Sequence, residues 1–280
     1  SYNPGRPDEI VGLVPSASSA DIEPAVRRAR EAWPAWRVLP AARRAEIMRA
    51  AAALMRSRRQ TLATWEVLEC GKPWREADAD VAEAIDFLEF YAGEWLRLSV
   101  PQRLGQEPGE LNHRVVDPRG VTAVIAPWNF PLAIPTGMVS AALVTGNPVL
   151  FKPSERSPVV GRFLAELLIE AGVPDGLLLC LPGGPEIGRA LAEHPDIVTI
   201  AFTGSKKVGL ELLKQTSTVA RGQRMVKRVI AEMGGKNAII VDETADLDEA
   251  VAGVIASSTG YSGQKCSACS RAVVHVAVYD

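Results

Sequence analysis

The sequence predicts an α/β fold: a parallel sheet with helices on both faces, preceded by a helical segment. Three observations predict it. Strand-like and helix-like runs alternate at short intervals from Gly120 onward. The strand-like runs, such as GVTAVIA and IVTIAF, are apolar enough to be buried, and the first hundred residues are rich in alanine and arginine at helical spacing.

Taken in order, Asp21 to about Leu98 reads as helices with a break near Gly71, Lys72 and Pro73. Within it, Arg37 to Arg59 carries Ile47, Ala51, Leu54 and Met55 at helical spacing, predicting one apolar face and a solvated arginine face rather than a nucleic-acid or membrane patch. Pro101 to Pro118 is polar and turn-rich, a connection or an excursion from the core. Then follow a strand over Gly120 to Ala126, a helix over Pro135 to Val144, a strand over Asn147 to Phe151 and a helix over Ser157 to Ala171. Gly176 to Cys180 and Ile197 to Phe202 read as strands, separated by a helix over Glu186 to His194. A helix over Lys207 to Gln215 and strands over Arg228 to Ala231 and Ala238 to Val241 continue the pattern. Ligands on such sheets bind at the carboxyl ends of the strands.

The chain has 280 residues, 47% hydrophobic and 23% charged, with a formal net charge of -2. That balance demands no polyanionic partner, and the length suffices for a large core in one or two domains. Four cysteines without regular spacing make no disulfide framework, so the cytoplasm is the expected compartment; the opening residues also show no basic, apolar signal segment. The longest apolar stretch, Val121 to Phe151, is interrupted by Pro127, Pro131, Pro135 and Pro148, which argues against a membrane span.

Five segments carry candidate chemistry. In SGQKCSACSR, Cys266 sits among small and polar residues, with Lys265 adding a charge that favours a thiolate. The same residues read alternatively as a C-x-x-C pair with Cys269, redox-active or zinc-binding. Cys70 and Cys180 are isolated and His113, His194 and His275 scattered, so no metal is expected. In APWNFP, Asn129 could donate its amide to a developing oxyanion, or the segment is a turn held by its prolines. In KPSE, Lys152 and Glu155 could hold the sugar hydroxyls of a nucleotide, or Ser154 caps a helix beside surface charges.

In FTGSKKVG, Gly204 permits a tight turn and Ser205 starts a helix whose free N–H groups could face a phosphate. The G-x-G-x-x-G fingerprint is missing, since Gly183, Gly184 and Gly188 have the wrong spacing. In AEMGGKN, Glu232 could act as a general base or stand as an exposed turn residue.

These segments, in this order and relative spacing, resemble the NAD(P)-dependent aldehyde dehydrogenases over nearly the whole chain. RVIAEMGGKNAIIVDETADLDEAV followed by SGQKCSACSR is most similar to the branch that oxidises L-glutamate γ-semialdehyde, in equilibrium with 1-pyrroline-5-carboxylate, during proline breakdown. The resemblance implies a Rossmann-type NAD-binding domain over residues 1–231 and the start of a catalytic domain over 232–280. It implies that Cys266 attacks the aldehyde, that Asn129 and the Cys266 N–H stabilise the oxyanion, and that Glu232 activates the water that hydrolyses the thioester.

By the same resemblance NAD is the cofactor, held by Ala126, Pro127, Trp128, Lys152, Ser154, Glu155, Gly184, Phe202, Thr203, Gly204, Ser205, Val208, Met233 and Gly234, with Glu155 repelling a 2′-phosphate. Phe130, Lys265 and Ser267 would meet the substrate, and Glu89, in DFLEFYAGE, its entrance. The partners implied are a small aldehyde and, for the intact enzyme, further copies of itself. One departure is expected: the chain stops at Asp280 in a strand-like run, RAVVHVAV, so the catalytic domain is incomplete and the alternatives are a related ω-semialdehyde dehydrogenase or an inactive nucleotide-binding fragment.

Overall fold

A glycine in the left-handed region divides the helical segment where the sequence breaks. In the computed structural model, which describes residues 1–279, α1 (Ile22–Arg37), α2 (Ala41–Ser57), α3 (Arg59–Cys70) and α4 (Trp74–Leu98) follow one another. Gly71, at φ 64°, ends α3 with its N–H bonded to Val67 O, and Pro73 precedes α4. Ahead of them, β1 (Tyr2–Asn3) and β2 (Arg6–Ile10) form an antiparallel hairpin that the sequence reading does not anticipate.

The arginine face of α2 needs one correction. Arg44 is buried: its Nε donates to Val144 O at 2.8 Å and its Nη1 to Trp36 O at 3.0 Å, while the guanidinium lies 5.4 Å from the Trp95 ring centroid. Carbonyl acceptors and an aromatic face replace the water that a guanidinium otherwise needs. The polar stretch over 101–118 is the excursion expected, an exposed hairpin of β3 (Gln102–Arg103) and β4 (His113–Arg114).

The central sheet has five parallel strands: β5 (Thr122–Ile125), β6 (Val149–Lys152), β7 (Leu178–Cys180), β8 (Thr199–Gly204) and β9 (Arg228–Met233). They are connected through α5 (Ala133–Val144), α6 (Pro158–Glu170), α7 (Pro185–Glu193) and α8 (Lys206–Thr216). The spatial order is β7-β6-β5-β8-β9. The chain therefore winds outward from β5 in one direction and resumes on its other side at β8, so the topological switch lies between the carboxyl ends of β5 and β8. Alternate residues feed two cores: Val124 and Phe151 pack with α2, α4, α5 and α6, whereas Ala123, Ile125 and Leu150 pack with α1 and α7. Helices cover both faces, as the apolar strands require.

After β9, β10 (Asn237–Val241), α9 (Leu247–Thr259) and β11 (Cys269–Val274) form a separate parallel βαβ unit, with Ile239 opposite Ala272. β9 carries Glu232 within the large sheet, so the sheet continues two residues past the expected boundary at 231. α9 is a further addition to the sequence reading, capped by Asp246, whose carboxylate accepts from Asp248 and Glu249 N–H. RAVVHVAV is also not one strand. It leaves β11 at Val274, and His275 accepts from Ala277 N–H to start a 3-10 turn over Val276–Val278.

Candidate active site

A cleft of about 190 Å³ opens at the carboxyl ends of β5 and β6, between α7 and α8. Of the predicted cofactor residues, Ala126, Lys152, Ser154, Glu155 and Val208 line it. Lys152 is buried and loses solvation, which pulls its ammonium below the usual lysine range, while Glu155 opposes that shift. Ser205 is the N-cap of α8, its hydroxyl accepting from Val208 N–H at 3.4 Å. The glycines of this motif serve close approach. A Cβ at Gly204 would fall 2.6 Å from the Phe202 ring, and one at Gly209 would fall 2.8 Å from Met233 Sδ. The side chains of Phe202 and Met233 therefore pack under α8 rather than line the cleft. Gly184 is the N-cap of α7, adjacent to the lining residue Pro185.

A second cavity, of about 670 Å³, continues from Glu155 past Trp128, Cys70 and Gly71 to Gln264. It joins the nucleotide-side loops to the loop that carries Cys266. The Asn129 amide donates to Gln264 O at 2.8 Å, across 135 positions of sequence, so APWNFP and the Cys266 loop meet directly. The AEMGGKN motif reaches the same loop: Asn237 Nδ2 donates to Cys266 O at 2.7 Å, and a Cβ on Gly235 would lie 2.9 Å from that oxygen. Only glycine lets the two backbones come so close. Cys266 and Ser267 are exposed.

The turn entering this loop is strained. Tyr261 (φ 50°) and Ser262 (φ 56°) occupy the left-handed region that non-glycine residues rarely adopt, and Gly263 (φ 71°) follows. Such residues cost about 1–3 kcal/mol each and persist where their surroundings over-determine them.

Glu232 projects from β9 opposite Thr203 of β8. With Arg228, Ile230 and Thr203 it lines a groove of about 460 Å³ against Phe87 and Met138. Val229, Ala231 and Met233 face the other way and pack on the core, the period-two alternation of an edge strand.

Two predicted site residues form ion pairs with other helices. Lys265 pairs with Glu76 of α4, its Nζ 2.8 Å from Oε1 and 2.7 Å from Oε2. Glu89 pairs with Arg56 at 2.9 Å and Arg49 at 3.8 Å, on the side of α4 that faces α2, and lines none of the three cavities. The C-x-x-C pair separates as well. Cys269 is buried at the start of β11, its thiol donating to Arg271 O, whereas Cys266 is exposed. Phe130 keeps its place beside Asn129, with the Lys72 ammonium 4.3 Å from its ring centroid.

Sequence reading passed over Asn237, although the motif containing it was noted. It also passed over Arg189, Glu211 and Gln215, which line the first cleft from α7 and α8 together with Gly188, a glycine set aside for its spacing. The signal for these was available in helical spacing: Glu211 and Gln215 are four apart on one helix face.

The sheet order and the contact between the Asn129 and Cys266 loops bring the candidate residues together at the carboxyl ends of a doubly wound parallel sheet. The chain belongs to the aldehyde dehydrogenase family, whose sequence model matches residues 1–280. It is 48% identical, over 281 aligned residues, to 1-pyrroline-5-carboxylate dehydrogenase 1 of Halalkalibacterium halodurans, covering all of this chain and 55% of that protein. The crystal structure of a Thermus 1-pyrroline-5-carboxylate dehydrogenase with bound NAD is similar at 47% identity and TM-score 0.97, again over 100% of this chain and 55% of the other. Proline utilization A from Bdellovibrio bacteriovorus, inactivated by N-propargylglycine, matches at 51% identity and TM-score 0.97 over 29% of its length. The chain thus spans about half the length of the curated relatives it matches.

Proposed function

We propose that the chain belongs to an NAD-dependent dehydrogenase that oxidises L-glutamate γ-semialdehyde to L-glutamate in proline breakdown. In this reading residues up to Met233 form the NAD-binding domain and β10 begins the catalytic domain. The observation that carries it is the Asn129 amide bonded to Gln264 O, two residues before Cys266, which supports a shared role for the two loops. The names of the relatives support the substrate.

The residues present fit a dinucleotide. The cleft between α7 and α8 offers apolar walls from Ile125 and Leu212, with Lys152 and Glu155 at its sugar-binding side. The free N–H groups after Ser205 suit a pyrophosphate. Glu155 disfavours a 2′-phosphate, hence NAD over NADP. When bound, a nicotinamide supplies the hydride acceptor.

The chain's own groups do the rest. The Cys266 thiolate adds to the aldehyde carbon, Asn129 Nδ2 and the Cys266 N–H hold the oxyanion, and loss of hydride leaves a thioester on Cys266. Glu232 takes a proton from the water that hydrolyses it, releasing the carboxylate product. Phe130, Lys265 and Ser267 meet the substrate chain in this reading. The cysteines are free, which supports a cytoplasmic setting, and exposed apolar residues on α9 and β11, Val251 and Val273 among them, support a larger assembly for the whole protein. Among the described residues no helix is long and apolar enough to cross a membrane.

The test is made on the full-length protein. NADH formation at 340 nm with L-glutamate γ-semialdehyde is expected, with Cys266→Ala reducing turnover at least a thousandfold while NAD binding is retained. Undiminished turnover in Cys266→Ala, or no NADH from the unsubstituted protein, would refute the reading.

A further inference from the structure

Beneath the two facing loops lies a buried ionic cluster that the proposed chemistry does not use. Lys72, in the break between α3 and α4, places its Nζ 2.6 Å from Asp80 Oδ2 and 3.2 Å from Glu66 Oε2, and all three side chains are 0% exposed. The same ammonium stands 4.3 Å from the Phe130 ring centroid and 5.4 Å from that of Tyr261. The second Asp80 oxygen accepts from Ala133 N–H, the first residue of α5, at 2.8 Å. One cation thus touches two helices, the loop of Asn129 and the turn before Cys266.

Two carboxyl groups around one ammonium would leave an uncompensated negative charge. Burial, with Asp80 beside it, pushes the Glu66 carboxyl up to about 11. Glu66 is therefore the protonated member and the cluster is neutral. Tyr261 is fixed from both ends: its hydroxyl donates to Cys70 O at 3.0 Å, two residues before Lys72, and its ring meets Trp128 edge-on at 6.3 Å. Those contacts supply the surroundings that a left-handed Tyr261 and Ser262 require.

We propose that Lys72 and Tyr261 are positioning residues, holding the turn over Tyr261–Gly263 so that Cys266 is aimed at the carbon whose oxygen Asn129 stabilises. Phe130 and Tyr261 share the ammonium, so the oxyanion loop and the nucleophile loop are set from one point. This rests on the roles proposed above for Cys266 and Asn129.

Two altered full-length proteins test it. Tyr261→Phe removes one hydroxyl. Lys72→Met combined with Asp80→Asn removes both charges, keeps the cluster neutral and leaves an acceptor for Ala133 N–H. Each is expected to lower kcat at least tenfold, with aldehyde KM and NAD Kd within about twofold, and to cause little further loss when Asn129→Ala is already present. An unchanged kcat, or losses that multiply in the Asn129→Ala background, would overturn the proposal. If the charge-removed protein does not fold, Tyr261→Phe decides alone. Should the unsubstituted protein oxidise no aldehyde, the functional reading fails separately. The alkylation rate of Cys266 by iodoacetamide then decides: a fivefold or greater change in Tyr261→Phe supports positioning, and an equal rate overturns it.

Discussion

The proposed nucleophile, Cys266, and the proposed base, Glu232, come from different units, the loop between α9 and β11 and the edge strand β9. Their chemistry is separable for that reason. Glu232→Gln keeps the size of the side chain and removes its basicity, so acylation of Cys266 proceeds while hydrolysis of the thioester slows. Stopped-flow mixing of the full-length variant with NAD and aldehyde is expected to show a full burst of NADH followed by a steady rate at least a hundredfold lower, within the usual range for a general base of about 10²–10⁴. An unchanged steady rate would remove Glu232 from the mechanism. At this scale the motifs were legible as residue types, because nucleophile, amide donor and carboxylate each have few chemical substitutes. The pairing of Lys265 with Glu76 was not legible, because the two lie 189 positions apart and no local pattern announces it.

Among the elements, α6 shows how the nucleotide-side loop is held. Its first N–H groups are not left to its own N-cap. The buried Glu69 carboxylate of α3 accepts from Val159 N at 2.9 Å and Val160 N at 2.8 Å. One turn on, Gly161 lets the helix lie against Pro153 of the KPSE loop, where an added Cβ would sit 2.4 Å from the Pro153 Cβ. Both atoms belong to rigid groups, so the clash cannot be relieved by a rotamer change. Gly161→Ala is expected to destabilise the full-length protein by about 1–3 kcal/mol despite the better helix propensity of alanine. It should also weaken NAD binding by moving Lys152 and Glu155. Thermal melting and NAD titration check both, and a stability equal to that of the unsubstituted protein would contradict the packing argument. Helix and strand identities followed from periodicity, whereas the N-terminal hairpin is short and β2 is exposed throughout, leaving no apolar alternation to read, and α9 buries none of its residues.

For the whole molecule, the neutral Glu66 has a cost that depends on pH. Its folded pKa lies above its unfolded value of 4.5, so the folded state binds more protons. The sign follows: the contribution is fully present below about pH 4.5 and is lost as pH rises toward the folded value, at up to about 1.4 kcal/mol per pH unit. Glu69, also raised by burial, acts in the same direction. Glu66→Gln supplies a neutral side chain of the same shape without taking up a proton. Its melting temperature relative to the unsubstituted full-length protein is expected to rise steadily between pH 5 and pH 9. A difference independent of pH would show that Glu66 is ionised in the folded chain.

The sequence by itself determined the α/β class, the order of sheet-forming runs, the three strand-end loops and the family, because strand and helix periodicities are short-range and catalytic side chains are chemically particular. The tertiary structure alone decided which charges meet. It buried Arg44 among carbonyls, turned Lys265 to Glu76 and Glu89 to Arg56, and placed Lys72 under Phe130 and Tyr261. Each of those outcomes depends on residues distant in sequence and on burial, which raises the energetic stake of every unpaired charge and is a property of the assembled core rather than of any segment.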